Sequence, residues 1–227
     1  MNNPAALLAL LQLSSPALPI GGFSYSQGLE AAVAANIVTD EASLRNWIRD
    51  GMNHYFGRLE LPVWCLQYQA WAAGDSATAL ARDAWFRASR ESEELLLETQ
   101  QMGWSVLQLI KDSPHATDPR WQELLNARPV ALPTAMSAYA QAEAISLSDG
   151  ALAYAFAWVE AQAAAGGKAV PLGQAAIQRV LRHCRQDCAQ AVPFACAMKD
   201  ADLQSFSPGL GILSSAHEMQ YTRLFRS

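Results

Sequence analysis

The stretch RESEELLLETQQMGWSVLQLIK, residues 90–111, decides the fold class. Leu95, Thr99, Met102, Val106 and Leu109 recur at spacings of 4, 3, 4 and 3, with Leu96, Gly103, Leu107 and Ile110 beside them. That rhythm turns one apolar stripe toward a core every helical turn. A half-buried strand would alternate apolar and polar residues instead, and no segment of the chain does so convincingly.

Outward from this helix the same composition repeats. Alanine is abundant, and Leu, Gln, Glu and Arg fill the intervals between helix breakers. A short helix is expected over Ala5–Leu13, ending at Ser14-Ser15-Pro16. Two prolines and two glycines make Ser14 to Phe23 a loop, and a helix should follow from about Ser24 to Asn36. Thr39 or Asp40 can cap a helical stretch reaching Ala73, which Pro62 should break or kink. Asp118-Pro119 opens a short helix. Pro133 opens one through Ile145, and Ser148 caps another that Gly166-Gly167 should end. Pro171 should start the last long helix, with Ile177, Val180, Leu181, Cys184, Cys188, Val192 and Ala195 as its stripe and Pro193 as a kink. The segment after Ser214 could form a final short helix. The expected fold is all-α: a single-domain bundle of roughly eight to ten helices over residues 1–227.

Composition narrows the function. The chain has 227 residues, of which 51% are apolar and only 16% charged. So little charge suggests a surface partly covered by a partner. Acidic residues outnumber basic ones by 21 to 16, with no Lys/Arg run, which argues against nucleic acid as a ligand. The four cysteines follow no disulfide-scaffold spacing. No apolar run approaches the roughly 20 residues that cross a bilayer, and the start lacks a secretion signal, so a cytoplasmic location without membrane association is expected.

The motifs that could carry chemistry each have a plainer reading. Ser24-Tyr25-Ser26-Gln27-Gly28 approaches the nucleophile elbow, with Ser26 as nucleophile, but a Pro/Gly loop rather than a strand precedes it. Gly167-Lys168 resembles the end of a phosphate-binding loop, yet Gln162 and Ala169 replace its first glycine and its Ser/Thr. His183 with Asp187, and Cys184 with Cys188, share helix faces four residues apart, a spacing that either clasps a metal or sets buried cysteines beside a solvated polar pair. A helical hydrolase or metal enzyme built on Ser26 or His183 and Asp187 is therefore the alternative to a binding protein. His54 with Glu60 is a further His–carboxylate neighbour, read as a surface histidine. Trp47, Trp85, Trp104 and Trp158 are read as core.

Two segments exceed what folding alone demands: LPIGGFSYSQGLE at 18–30, and HEMQYTRLFRS at 217–227. In the first, Phe23 and Tyr25 either anchor a partner from a Gly-hinged loop or pack inward. The second reads as a segment that orders on a partner.

Together these two runs resemble the UreF family of urease accessory proteins, a likeness that covers the whole chain. Met219, where a threonine is common, is a mild departure. The resemblance implies an all-α homodimer that is not an enzyme. It implies a urease maturation chaperone or scaffold that, with UreD (UreH) and the GTPase UreG, enables nickel insertion into the urease apoprotein. No cofactor would be bound tightly, nickel being handled by the complex, and a regulatory effect on the GTPase is possible for the family. The implied partner-binding residues are Pro19, Gly21, Gly22, Phe23, Tyr25, Gln27 and Glu30 in the first run, and His217, Glu218, Tyr221, Arg223, Leu224, Phe225 and Arg226 in a C-terminal tail at about 205–227.

Overall fold

The computed structural model describes residues 3–226, all of whose regular elements are helical. The α-helices are α1 (Pro4–Leu13), α2 (Leu29–Ala34), α3 (Glu41–His54), α4 (Leu61–Ala72), α5 (Ser76–Ala88) and α6 (Glu93–Lys111). They continue as α7 (Gln122–Asn126), α8 (Leu132–Ala142), α9 (Leu147–Ala169), α10 (Gln174–Ala197) and α11 (Pro208–Glu218). The all-α, single-domain expectation is met. Two of the eleven, α2 and α7, are only six and five residues long.

Helix α8 is the spine. It is buried from Leu132 through Ala140 and lies between α4 and α6, while α9 packs along α10 and bears on α3 and α4. At their junction Phe56 stacks on Trp158 with centroids 4.6 Å apart, and Trp64 lies between Tyr68 and Tyr154. Fully buried aromatic rings contribute strongly because each removes a large apolar area from water.

Local chemistry explains most boundaries. Asp40 accepts from the Ser43 N–H while Ser43 Oγ accepts from the Asp40 N–H, a reciprocal cap that starts α3. Ser92 caps α6 from one side only, its Oγ accepting from the Leu95 N–H. The predicted break at Pro62 takes a different form. The chain passes from α3 into α4 through a wide π turn at Phe56–Glu60, and Pro62 sits at the start of α4 where its missing N–H is harmless. Four residues earlier the carbonyl of Arg58, which no proline could satisfy, accepts from the Gln204 N–H.

Other expectations are corrected. The chain after Ser24 is not yet helical: a short 3₁₀ turn at Gly22–Ser24 leads through left-handed residues at Gln27 and Gly28 before α2 begins. Gly166-Gly167 does not end α9, which runs to Ala169, because the first glycine serves close packing. A Cβ on Gly166 would lie 2.4 Å from a methyl of Leu44 on α3. The cap of α9 is Ser146 rather than Ser148, and α10 begins beyond Gly173 rather than at Pro171. Pro193 lies inside α10, which continues to Ala197. Trp158 is buried and Trp47 half-buried, but Trp85 and Trp104 are 43% and 50% exposed, because each occupies the outer face of its helix.

Candidate functional site

Glu30 is the centre of the candidate site. It lies in the first turn of α2, 6% exposed, and it draws residues from both ends of the chain into one network. Its Oε1 accepts from the Leu224 N–H at 2.8 Å and from Gln220 Nε2 at 3.3 Å. Its Oε2 accepts from the Phe225 N–H at 3.0 Å and faces His217 Nε2 at 3.1 Å. A carboxylate holding two successive backbone N–H groups is a strong anchor, since charge-assisted bonds exceed neutral ones.

His217 closes the network. Its ring has no solvent exposure and is placed by α11, which packs on α2 and on the start of α6. Nδ1 lies 2.7 Å from Glu94 Oε2, while Nε2 faces Glu30, so both nitrogens meet carboxylate oxygens. A ring nitrogen that carries a proton donates it to the carboxylate it faces. Arg223 Nη1 donates to the other Glu94 oxygen at 2.6 Å. Each of the two carboxylates therefore meets the imidazole and at least one further donor, as buried polar groups require.

Neighbouring contacts make α11 a cap for α6. Glu218 Oε1 accepts from the Glu93 N–H at 3.0 Å and the Glu94 N–H at 3.4 Å, and Ser214 Oγ bonds Ser92 Oγ. A carboxylate at a helix N-terminus satisfies free N–H groups and meets the positive end of the helix dipole.

On the loop side, Tyr25 is buried, its hydroxyl donating to Gln101 and meeting the Arg226 guanidinium. Burial pushes that hydroxyl above its ordinary pKa, against the opposing influence of Arg226. The Arg226 N–H donates to the Ser24 carbonyl at 2.8 Å, tying the two end segments backbone to backbone. Gln27 Nε2 donates to Glu98, and its Oε1 accepts from Trp158 Nε1, each at 2.7 Å. The turn that aims Gln27 needs φ of +80° at Gly28, a conformation only glycine adopts without strain.

Behind the loop is a cavity of about 80 Å³ into which Tyr25, Gln27, Glu60, Glu98 and Tyr154 face. Glu60 accepts from Tyr154 OH at 2.6 Å and pairs with the buried Arg90 at 3.4 Å. Burial raises the Glu60 pKa, and Arg90 and the Tyr154 bond oppose it.

The residues predicted from the two runs thus converge, but in two layers. Tyr25, Glu30, His217 and Phe225 are buried within their own chain, and Gly22, Phe23, Gln27 and Glu218 are partly covered. The tail read as ordering on a partner is already docked at Phe225 and Glu30. Outward face Pro19, Gly21, Tyr221, Leu224, Arg226 and 40% of the Arg223 side chain. Met219, Tyr221 and Leu224 are 87%, 101% and 71% exposed, an apolar fringe without cover in this chain.

Glu94, Glu98, Gln162 and Arg90 were missed by the sequence reading. Glu94, Glu98 and Met102 are spaced four apart, which sets both carboxylates on the buried face of α6; that spacing was the available signal.

The alternative chemical readings find no support in this geometry. Ser26 is fully buried, and its Oγ accepts from the Glu30 N–H, a helix-start role. His54 is exposed and Glu60 is committed to Arg90 and Tyr154. Cys184 and Cys188 lie on the buried stripe of α10, with His183 and Asp187 beside them on its outer side. Among the described residues no group of three or more His, Cys, Asp or Glu side chains is placed to hold a metal ion, and no helix is long and apolar enough to cross a membrane.

Comparison with known proteins agrees with the resemblance. The family model described as UreF matches residues 38–185, a span lying between the two end segments. The full chain is 51% identical to the urease accessory protein UreF of Ralstonia pickettii, covering all of both proteins. It is 48% identical to the proteins of the same name from Cupriavidus necator and Cupriavidus metallidurans, over 97% of each chain.

Proposed function

This chain belongs to the UreF family of urease accessory proteins, and on that premise we propose that it is the scaffold on which the maturation complex assembles. It is an accessory protein rather than an enzyme, and its role lies in urease maturation. In our reading it forms a homodimer in the cytosol, binds UreD (UreH), recruits the GTPase UreG, and so enables nickel insertion into the urease apoprotein. Nickel is then cargo of the complex rather than a resident cofactor. UreD meets the tail around Tyr221–Arg226, while the 19–30 loop with the tail arginines faces the GTPase and adjusts its hydrolysis.

One observation supports this reading above the others. The chain holds the backbone of its tail with a buried carboxylate, yet leaves Met219, Tyr221 and Leu224 uncovered. A segment fixed by polar bonds with apolar side chains outward is a preorganised docking edge, and such rigid aromatic and aliphatic anchors dominate interface energies.

Co-purification with the accessory proteins, together with urease activation, tests it. Tyr221→Ala with Leu224→Ala should lose UreD while the monomer's thermal unfolding is unchanged. Phe23→Ala, Arg223→Ala and Arg226→Ala should weaken recruitment of the GTPase. Unchanged complexes from all of these would refute the assignment. Point substitutions are preferable to removing 217–227, which also deletes the buried His217 and uncovers Glu30.

A further inference from the structure

Two of the four cysteines meet outside the end-segment network. Cys65 lies on α4 with no solvent exposure, and Cys196 lies in the last turn of α10, partly exposed. Their sulfurs are 3.4 Å apart although the residues are 131 positions apart in the chain. A disulfide is about 2.05 Å long, so bond formation needs the sulfurs to close by only ~1.4 Å. The surroundings hold the pair in place. Arg58 lies over the ring of Phe194, two residues before Cys196, at 4.3 Å, and Arg82 grips Asp200 with two hydrogen bonds just after it.

We propose that Cys65 and Cys196 are a peroxide-sensitive thiol pair that closes reversibly to a disulfide, stapling the end of α10 to α4. Cys196 is the attacking member, because it alone of the two reaches solvent. Its thiolate attacks one oxygen of hydrogen peroxide, the O–O bond breaks, and hydroxide leaves to become water on protonation. The resulting sulfenic acid is attacked by the Cys65 sulfur, which gives up its proton as the S–S bond forms and a second water leaves. Two thiols are oxidised, one peroxide is reduced, and a dithiol such as reduced thioredoxin reverses the change.

The other cysteines supply the contrast. Burial pushes the Cys184 thiol up to about 11 and the Cys188 thiol up to about 12, so neither is a thiolate near neutrality. The Cys196 thiol is instead lowered, chiefly through its hydrogen bond with Cys65. Reaction should therefore be selective within the four thiols. The consequence is local, since α10 leads through Asp200–Asp202 into the segment that carries α11 and the tail. Stapling its end makes the docking edge insensitive to local opening of α10.

The full chain treated with one equivalent of hydrogen peroxide at neutral pH and mapped without reduction is the test. The titratable thiols should fall from four to two, and a peptide linking residues 65 and 196 should appear, about 2 Da below the sum of its parts. Cys196→Ser should abolish the crosslink, whereas Cys188→Ser should retain it, and a dithiol should restore all four thiols. Hydrogen exchange at residues 193–204 should slow severalfold in the oxidised chain. A disulfide between Cys184 and Cys188, a crosslink between chains only, or irreversible over-oxidation of Cys196 with Cys65 untouched would overturn the proposal.

Discussion

Replacing Glu30 by alanine should release the tail while leaving the bundle folded. The carboxylate accepts from two backbone N–H groups, Leu224 and Phe225, and from the Gln220 side chain. Hydrogen bonds to a charged acceptor contribute about 1.5–3 kcal/mol each, so the two backbone bonds alone hold ~3–6 kcal/mol. The main apolar contact of the tail is Phe225, 6% exposed, and burial of such a ring contributes about 1.5–3 kcal/mol. Keeping the tail docked without Glu30 would leave unpaired buried donors at a cost similar to or greater than that contact. Undocking returns those donors to water and wins. Because each ~1.4 kcal/mol is a factor of ten, exchange protection of the Leu224, Phe225 and Arg226 amides should fall by at least about a hundredfold. The core amides of α8 and α9 should be unaffected. Amide exchange followed by NMR reads both. Glu30→Gln keeps an acceptor oxygen but turns an amide NH2 toward another donor, so its loss should be intermediate. Tail amides that stay within threefold of the parent in Glu30→Ala would refute the claim that this carboxylate holds the tail.

Gly166→Ala forces a methyl to within 2.4 Å of Leu44, and overpacking of that kind costs about 1–3 kcal/mol, lowering Tm by several degrees in a scanning experiment. Tyr221→Ala, at a fully exposed position, should leave Tm unchanged within about 1 °C while weakening co-purification with the other accessory proteins. The Arg82 hydrogen bonds hold the Asp200 carboxyl below the usual carboxylate range. Its native form therefore binds its proton less readily than the unfolded chain does. The stabilisation is present above the ordinary aspartate range and is lost as pH falls through the native value. Asp200→Asn should accordingly be less stable than the parent at pH 7, with the difference shrinking as pH falls below the ordinary aspartate range in denaturant titrations.

The two end runs were readable, their buried and exposed residues alike, and their partners on α6 were not. Phe23, Tyr25, Tyr221 and Arg223 stood out because such residue types are rare in a loop and a terminus. Glu94 and Glu98 did not, because a glutamate in a helix is ordinarily solvated, and their spacing sets them on the buried face without showing that one of them faces a histidine 123 residues later. The exposed Trp85 and Trp104 err the other way. Large aromatics favour cores, but helical periodicity gives only the relative faces of one helix, never which neighbour covers each face.

Helix content, the caps at Asp40, Ser92 and Asp118, and the loop at 14–23 follow from the sequence, because short-range sterics and hydrogen bonds set them within a few residues. Placement of Gly166 inside a helix, the π turn before Pro62 with its remote satisfaction by Gln204, and the meeting of Cys65 with Cys196 belong to tertiary structure. So does the burial of Glu30 between residues from both ends of the chain. Each depends on groups far apart in the chain, and a carboxylate or a thiol acquires its character from the partner that packing brings to it.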